Sequence, residues 1–250
     1  MLHTIKSYLK FLWKSTNAHG VHSPFVFSLV TRCFYDKTFK PEYALLKEYR
    51  QALLANRGII NVTDFGAGSK VFKSNSRAIS KIAENAGIPL KRARLLFRLA
   101  RYFKPETVLE IGTSLGLATS ALALGCPEAE IASLEGCGET AGIAQKQLQE
   151  YKCDARVIVT EFEDYLKSLL PTVRYQLVYF DGNHSKEATL SYFELLLPTI
   201  SNETVWIFDD IHWSPEMIDA WSCIKEHPKA RVTIDTFHWG IVFFRREQEK

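Results

Sequence analysis

The chain lacks most of the features that assign a protein quickly. It has no large charge imbalance: 31 Lys and Arg face 28 Asp and Glu, for a formal net charge of +3. Nucleic acid is therefore not the expected partner. Its five cysteines, Cys33, Cys126, Cys137, Cys153 and Cys223, are odd in number and include no C-x-x-C pair. That argues against a disulfide framework and against a zinc cluster, and for a reducing, cytoplasmic setting. No apolar run reaches the roughly 18 residues of a membrane span. The opening segment "MLHTIKSYLKFLWKS" is broken by Lys6 and Lys10 and makes a poor signal peptide. Its apolar residues recur at steps of three and four, which predicts an amphipathic helix docked on the body. Membrane-surface attachment is the lesser reading. Internal repeats and low-complexity tracts are absent.

What is present is an ordinary soluble composition, 46% hydrophobic and 24% charged over 250 residues. That is enough for one sizeable core plus an appended segment. From about residue 105 apolar β-branched runs alternate with helical segments. The runs are "TVLEIG", "AEIASLEG", "ARVIVT", "YQLVYFDG" and "TVWIFDD". This alternation predicts an α/β fold: a mostly parallel sheet covered by helices on both faces. "SPEMIDAWSCIKEH" reads as a helix with Ser214 as N-cap and Pro215 at its first position. "ARVTIDTF" and "GIVFFRR" follow with too short a link for a parallel crossover, so they form an antiparallel hairpin. The first part has no such rhythm. It is read as a mainly helical cap over residues 1–90, ahead of a cofactor-binding domain at 91–250. "KRARLLFRLARYFK" is read as an amphipathic helix with a solvated basic face.

Two stretches resemble a cofactor turn: "NVTDFGAGSK" and "ETVLEIGTSLGLATSAL". Such a turn needs a buried strand before it, a helix straight after it, and a second strand ending in an acid about 20 residues on. The second stretch has all three. Val108–Ile111 form the strand, Gly112 and Gly116 let the backbone approach a ligand, and Glu135 closes the next strand. "DFGAGS" lacks the strand with its terminal acid, and remains either a structural turn or a piece of the cap closing over the site. The third glycine of G-x-G-x-x-G is missing, and Glu110 stands inside the strand. A pyrophosphate disfavours a carboxylate there, whereas a cofactor with a cationic amino-acid part accepts one.

These residues resemble a class I S-adenosylmethionine-dependent methyltransferase, with a Rossmann-like, mostly parallel seven-stranded sheet ending in an antiparallel hairpin. "VLEIGTSLGLATSALA" is similar to the family's first motif and "SLEG" to its second. "YQLVYFDGNHSKEATLSYFELLLP" followed by "TVWIFDDIHW" resembles small-molecule O-methyltransferases of the catechol and caffeoyl-CoA type, and the group carrying "DG-x-HS". The resemblance covers about 104–246. It implies S-adenosylmethionine as cofactor, with Glu110, Gly112, Thr113, Ser114 and Gly116 around its methionine part. It also implies Glu135 on the ribose hydroxyls, Phe162 and Glu163 at the adenine, and Asp181 near the cofactor.

Methyl transfer is an in-line displacement. The enzyme must align the acceptor, exclude water and help it lose its proton. By the resemblance, Asp181, Asp209 and Asp210 would hold a divalent ion, Mg²⁺ being the natural choice for oxygen ligands. The alternative is that Asp181 contacts the cofactor and one of the pair caps the next helix. The paired positions also depart from the family, which usually has Asn where this chain has Asp210. His184 stands where the catechol-type enzymes carry a basic Lys, and a histidine suits proton removal near neutrality. His212 and Trp213 are expected to line the pocket, and His19 and His22 to approach it if the cap folds over. The expected partner is a small-molecule acceptor, with a homodimer as one permitted assembly. Protein or RNA methylation and a non-catalytic cofactor binder stand as alternatives.

Overall fold

The computed structural model describes residues 2–63, 74–170 and 172–247. The "DFGAGS" turn lies outside these. The chain opens with α1 (Leu2–Lys14), α2 (Pro24–Leu29) and α3 (Glu42–Ala55). A short antiparallel pair follows, β1 (Ile59–Asn61) with β2 (Ser76–Ala78), then α4 (Ile79–Asn85) and α5 (Leu90–Phe103). From β3 (Thr107–Ile111) strands and helices alternate: α6 (Leu117–Gly125), β4 (Glu130–Glu135), α7 (Gly138–Glu150), β5 (Arg156–Val159), α8 (Phe162–Ser168), β6 (Leu177–Phe180), α9 (Lys186–Leu196) and β7 (Val205–Asp209). The chain ends with α10 (Pro215–Glu226), β8 (Val232–Asp235) and β9 (Trp239–Phe243). The main sheet has seven strands in the order β5-β4-β3-β6-β7-β9-β8. All pairings are parallel except β7–β9 and β8–β9. This is the expected sheet with its terminal hairpin. Among the described residues no helix is long and apolar enough to cross a membrane.

The period of two along each strand divides the core. Val108, Tyr179, Ile207 and Ile241 point to one face, and Leu109, Val178, Trp206 and Val242 to the other. The first face is covered by α5 and α6, and the cap joins it: Leu46, Tyr49, Leu53, Phe97 and Leu122 belong to one continuous apolar cluster. The boundary near residue 90 is therefore a change of rhythm and not a gap between cores. Tyr49 of α3 fastens the junction, its hydroxyl donating to the Leu115 carbonyl at 2.9 Å. Helix α1 docks on the hairpin, with the Tyr8 and Phe11 rings 4.9 and 5.6 Å from that of Phe237.

Two features differ from the sequence reading. The β1–β2 pair is not legible in the sequence, because three-residue strands are too short to show a period. The basic face of α5 is not simply solvated. Arg98 donates to the carbonyls of Cys33 and Phe34, Arg101 pairs with Glu42 at 2.8 Å, and Arg94 lies over the Tyr43 ring. These arginines tie the cap to the domain through their engaged heads, Arg101 from an exposed position.

Candidate functional site

Three neighbouring parallel strands end on one rim. β3 delivers Gly112 to Ser114, β6 delivers Asp181 to Asn183, and β7 delivers Asp209 and Asp210. The hairpin turn joins them, because Asp209 pairs with Trp239. Ligands of such sheets bind at this carboxyl edge. Left-handed backbone gathers here as well: Ser114 (φ 48°), Asn183 (φ 47°), Asp210 (φ 52°) and Phe237 (φ 72°). Each such residue costs on the order of 1–3 kcal/mol, and such strain concentrates at functional sites.

A cleft of about 400 Å³ opens along the rim. Gly112, Ser114, Glu135, Phe162, Glu163 and Asp181 all line it. The cap supplies an opposing wall from Val62, Arg77, Ile82 and Ala86. Glu135 closes β4 and braces two turns. One carboxylate oxygen accepts from the Ser114 N–H at 2.8 Å, the other from the Cys137 N–H at 2.9 Å. The Phe162 ring sits against Gly182, where a Cβ would come within 2.4 Å of it. Gly112 (φ 104°) lets β3 pass the end of β6: a Cβ there would meet the Asp181 carbonyl oxygen at 2.4 Å.

Three of the expected cofactor residues do not line the cleft. Glu110 is fully buried, on the same face of β3 as Val108, beneath α6. One of its oxygens accepts from the Thr119 and Ser133 hydroxyls and the other has no partner. Burial pushes its carboxyl up to about 7. It supports the turn from below and does not line the cleft. Thr113 is buried against the Ser133 hydroxyl at 2.5 Å. Gly116 (φ 77°) caps α6, and its Cβ would strike the Tyr49 hydroxyl at 2.4 Å. The packing of the cap demands a glycine there.

Of the three acids only Asp181 lines the cleft, and Asp209 and Asp210 neighbour it from the end of β7. Burial, with Asp209 and Asp210 alongside, pushes the Asp181 carboxyl well above the usual range, and burial beside Asp209 raises Asp210. His184 Nε2 lies 3.6 Å from an Asp181 oxygen, and its ring stands 6.0 Å from that of Trp213. His212 turns away, to Asp235 at 2.9 Å and onto the Phe237 ring. His19 and His22 are exposed, and nearby Phe25 packs on Phe243 at the opposite edge of the sheet.

The residues implied for Mg²⁺ do not fit it as placed. Arg92, on α5, reaches the cluster first: its Nη1 lies 2.8 Å from Asp209 Oδ1 and 3.7 Å from Asp210 Oδ1. Asp209 also accepts from the Asp210 N–H at 2.8 Å and the Tyr179 hydroxyl at 3.1 Å. Among the described residues no group of three or more His, Cys, Asp or Glu is arranged to hold a metal ion. The sequence reading misses Arg92 because it looks like one cation among many on a basic helix.

Solved structures share this architecture. An SAH-bound methyltransferase from Podospora anserina superposes with a TM-score of 0.64 at 15% identity, over 92% of this chain and 99% of its own. An O-methyltransferase from Bacillus cereus in complex with SAH gives 0.58 at 17%, over 87% and 96%. The O-methyltransferase TomG from Streptomyces achromogenes, in complex with SAM, gives 0.56 at 17%, over 64% and 82%. At these identities the likeness is one of fold. The sequence adds the deciding observation: residues 109–211, from the cofactor strand through the acid pair, match a family model described as a methyltransferase domain. Residues 109–211 therefore resemble a methyltransferase domain, set in a fold shared with SAH- and SAM-bound methyltransferases. The matched segment carries the rim from β3 to the end of β7, and the cap and hairpin lie outside it.

Proposed function

We propose that the chain is an S-adenosylmethionine-dependent methyltransferase that methylates an oxygen of a small molecule. The observation that carries this reading is the continuity of the cleft. It runs from Glu135 past the Gly112 turn to Asp181, with His184 beside that acid. Glu135 takes the ribose hydroxyls, Phe162 and Glu163 border the adenine, and the backbone at Gly112 and Ser114 bounds the methionine end. When bound, S-adenosylmethionine supplies an electrophilic methyl on a cationic sulfonium. The chain's own residues do the rest. The cap wall and the rim exclude water and align the acceptor. His184 takes the proton of the acceptor hydroxyl as its oxygen bonds the methyl carbon and the carbon–sulfur bond breaks. Asp181 orients the ring. Arginines 94, 98 and 101 of α5 are engaged within the protein, so the basic helix does not argue for an RNA substrate.

Glu135→Ala is expected to weaken S-adenosylhomocysteine binding by at least about tenfold, the loss of one or two hydrogen bonds to a charged group. Calorimetry reads this directly, and no binding by the wild type sinks the reading. His184→Ala is expected to lower turnover about a hundredfold while leaving S-adenosylhomocysteine affinity unchanged. A turnover screen against pooled phenols and other hydroxylated compounds identifies the acceptor first. Unchanged turnover in the variant removes His184 as the base.

A further inference from the structure

The geometry points to Arg92 as the resident cation of the acid cluster, standing where a divalent ion would otherwise bind. This rests on reading the cleft as a methyl-transfer site. Carboxylates gathered at the ends of β6 and β7 need a positive charge among them. Arg92 supplies one from within the chain, 2.8 Å from Asp209 and 3.7 Å from Asp210. The guanidinium is half-buried, so this is no loose surface pair.

Asp209 has little left to offer an ion. Oδ1 accepts from both Arg92 and the Asp210 N–H, and Oδ2 accepts from the Tyr179 hydroxyl. Mg²⁺ and Mn²⁺ demand near-octahedral oxygen ligands at short range. An ion on Asp209 would have to displace these donors and sit close to a fixed like charge. The backbone that carries Arg92 is fixed in place. Its helix is pinned by Arg98, which donates to the Cys33 and Phe34 carbonyls and to the Tyr43 hydroxyl. The helix packs on the rest of the core through Ala93, Leu96, Phe97, Leu99 and Ala100. The fixed helix presents Arg92 to the acids, its ion pair with Asp209 holds the guanidinium there, and an arginine stays charged at any working pH.

The test is a Mn²⁺ titration of the full chain followed by electron paramagnetic resonance, with and without S-adenosylhomocysteine. The wild type is expected to bind Mn²⁺ weakly. Arg92→Met and Arg92→Gln, which remove the charge, are expected to bind it at least about tenfold more tightly, a shift of one decade in Kd. Asp209→Asn placed on either variant is expected to abolish the gain. Wild-type affinity equal to that of the variants overturns the inference, and so does the absence of a gain in both. Calorimetry with S-adenosylhomocysteine on the same samples shows whether the variants are folded. Its failure in the wild type counts against the methyl-transfer reading, whereas the Mn²⁺ signal tests Arg92 alone.

Discussion

Gly112→Ala is expected to lose about 4 kcal/mol of stability and to abolish S-adenosylhomocysteine binding. Two costs add. At φ 104° an alanine is strained wherever its methyl points. The methyl also has no room: it would lie 2.4 Å from the Asp181 carbonyl oxygen, 2.7 Å from its carbon and 3.0 Å from the Gly182 nitrogen. All three are backbone atoms, so no rotamer change relieves the contact. The ends of β3 and β6 must part, and those ends are the floor of the cleft. Urea unfolding measures the first effect and calorimetry the second. Gly142→Ala is the control. Gly142 is exposed on α7, and an added methyl there would meet nothing within 4 Å, so alanine is expected to add about 0.5–1 kcal/mol. A Gly112 variant that unfolds and binds like the wild type would mean that the strands do not meet as described.

The same turn shows what a sequence can reveal. Strands β3, β4, β6 and β7 were legible because a strand covered on both faces must be apolar almost throughout, and helices must separate such strands. Glu135 was legible because it closes a strand at the right distance from a glycine turn. Gly116 has a cause that the sequence does not show. Its glycine answers Tyr49, whose hydroxyl bonds Leu115 from 66 residues away in the chain, and no local pattern carries that information. Arg92 is the sharper case. It and Asp209 are 117 residues apart, one on a helix of ordinary basic composition and the other at a strand end. Only the fold brings them together. The left-handed residues Asn183 and Asp210 carry a weak local signal, since Asn and Asp tolerate that conformation better than most. Ser114 carries none.

Stability is expected to fall as pH rises from about 4.5 to 7, and the cause to be Glu110. Its carboxyl titrates near 4.5 when free and is pushed up to about 7 by burial beneath the cofactor turn. The folded chain therefore holds the proton more tightly than the unfolded chain does. The stability this provides is fully present below about 4.5 and is lost as pH rises through 7. The span corresponds to roughly 3 kcal/mol as an order of magnitude. The Thr119 and Ser133 hydroxyls moderate the effect, because both donate to the carboxylate, while the second oxygen has no donor. Glu110→Gln removes the titration but leaves an amide N–H₂ in the unpartnered place, at a fixed cost of about 1–3 kcal/mol. The variant is thus expected to be less stable than the wild type at pH 4.5 and to draw level with it or pass it by pH 8. The quantity to follow is the difference between the two proteins, in which other titrating groups cancel. Urea midpoints at half-unit steps of pH supply it. A difference that stays flat across that range shows that Glu110 is ionised in both states, and that the turn above it rests on a carboxylate instead of an acid.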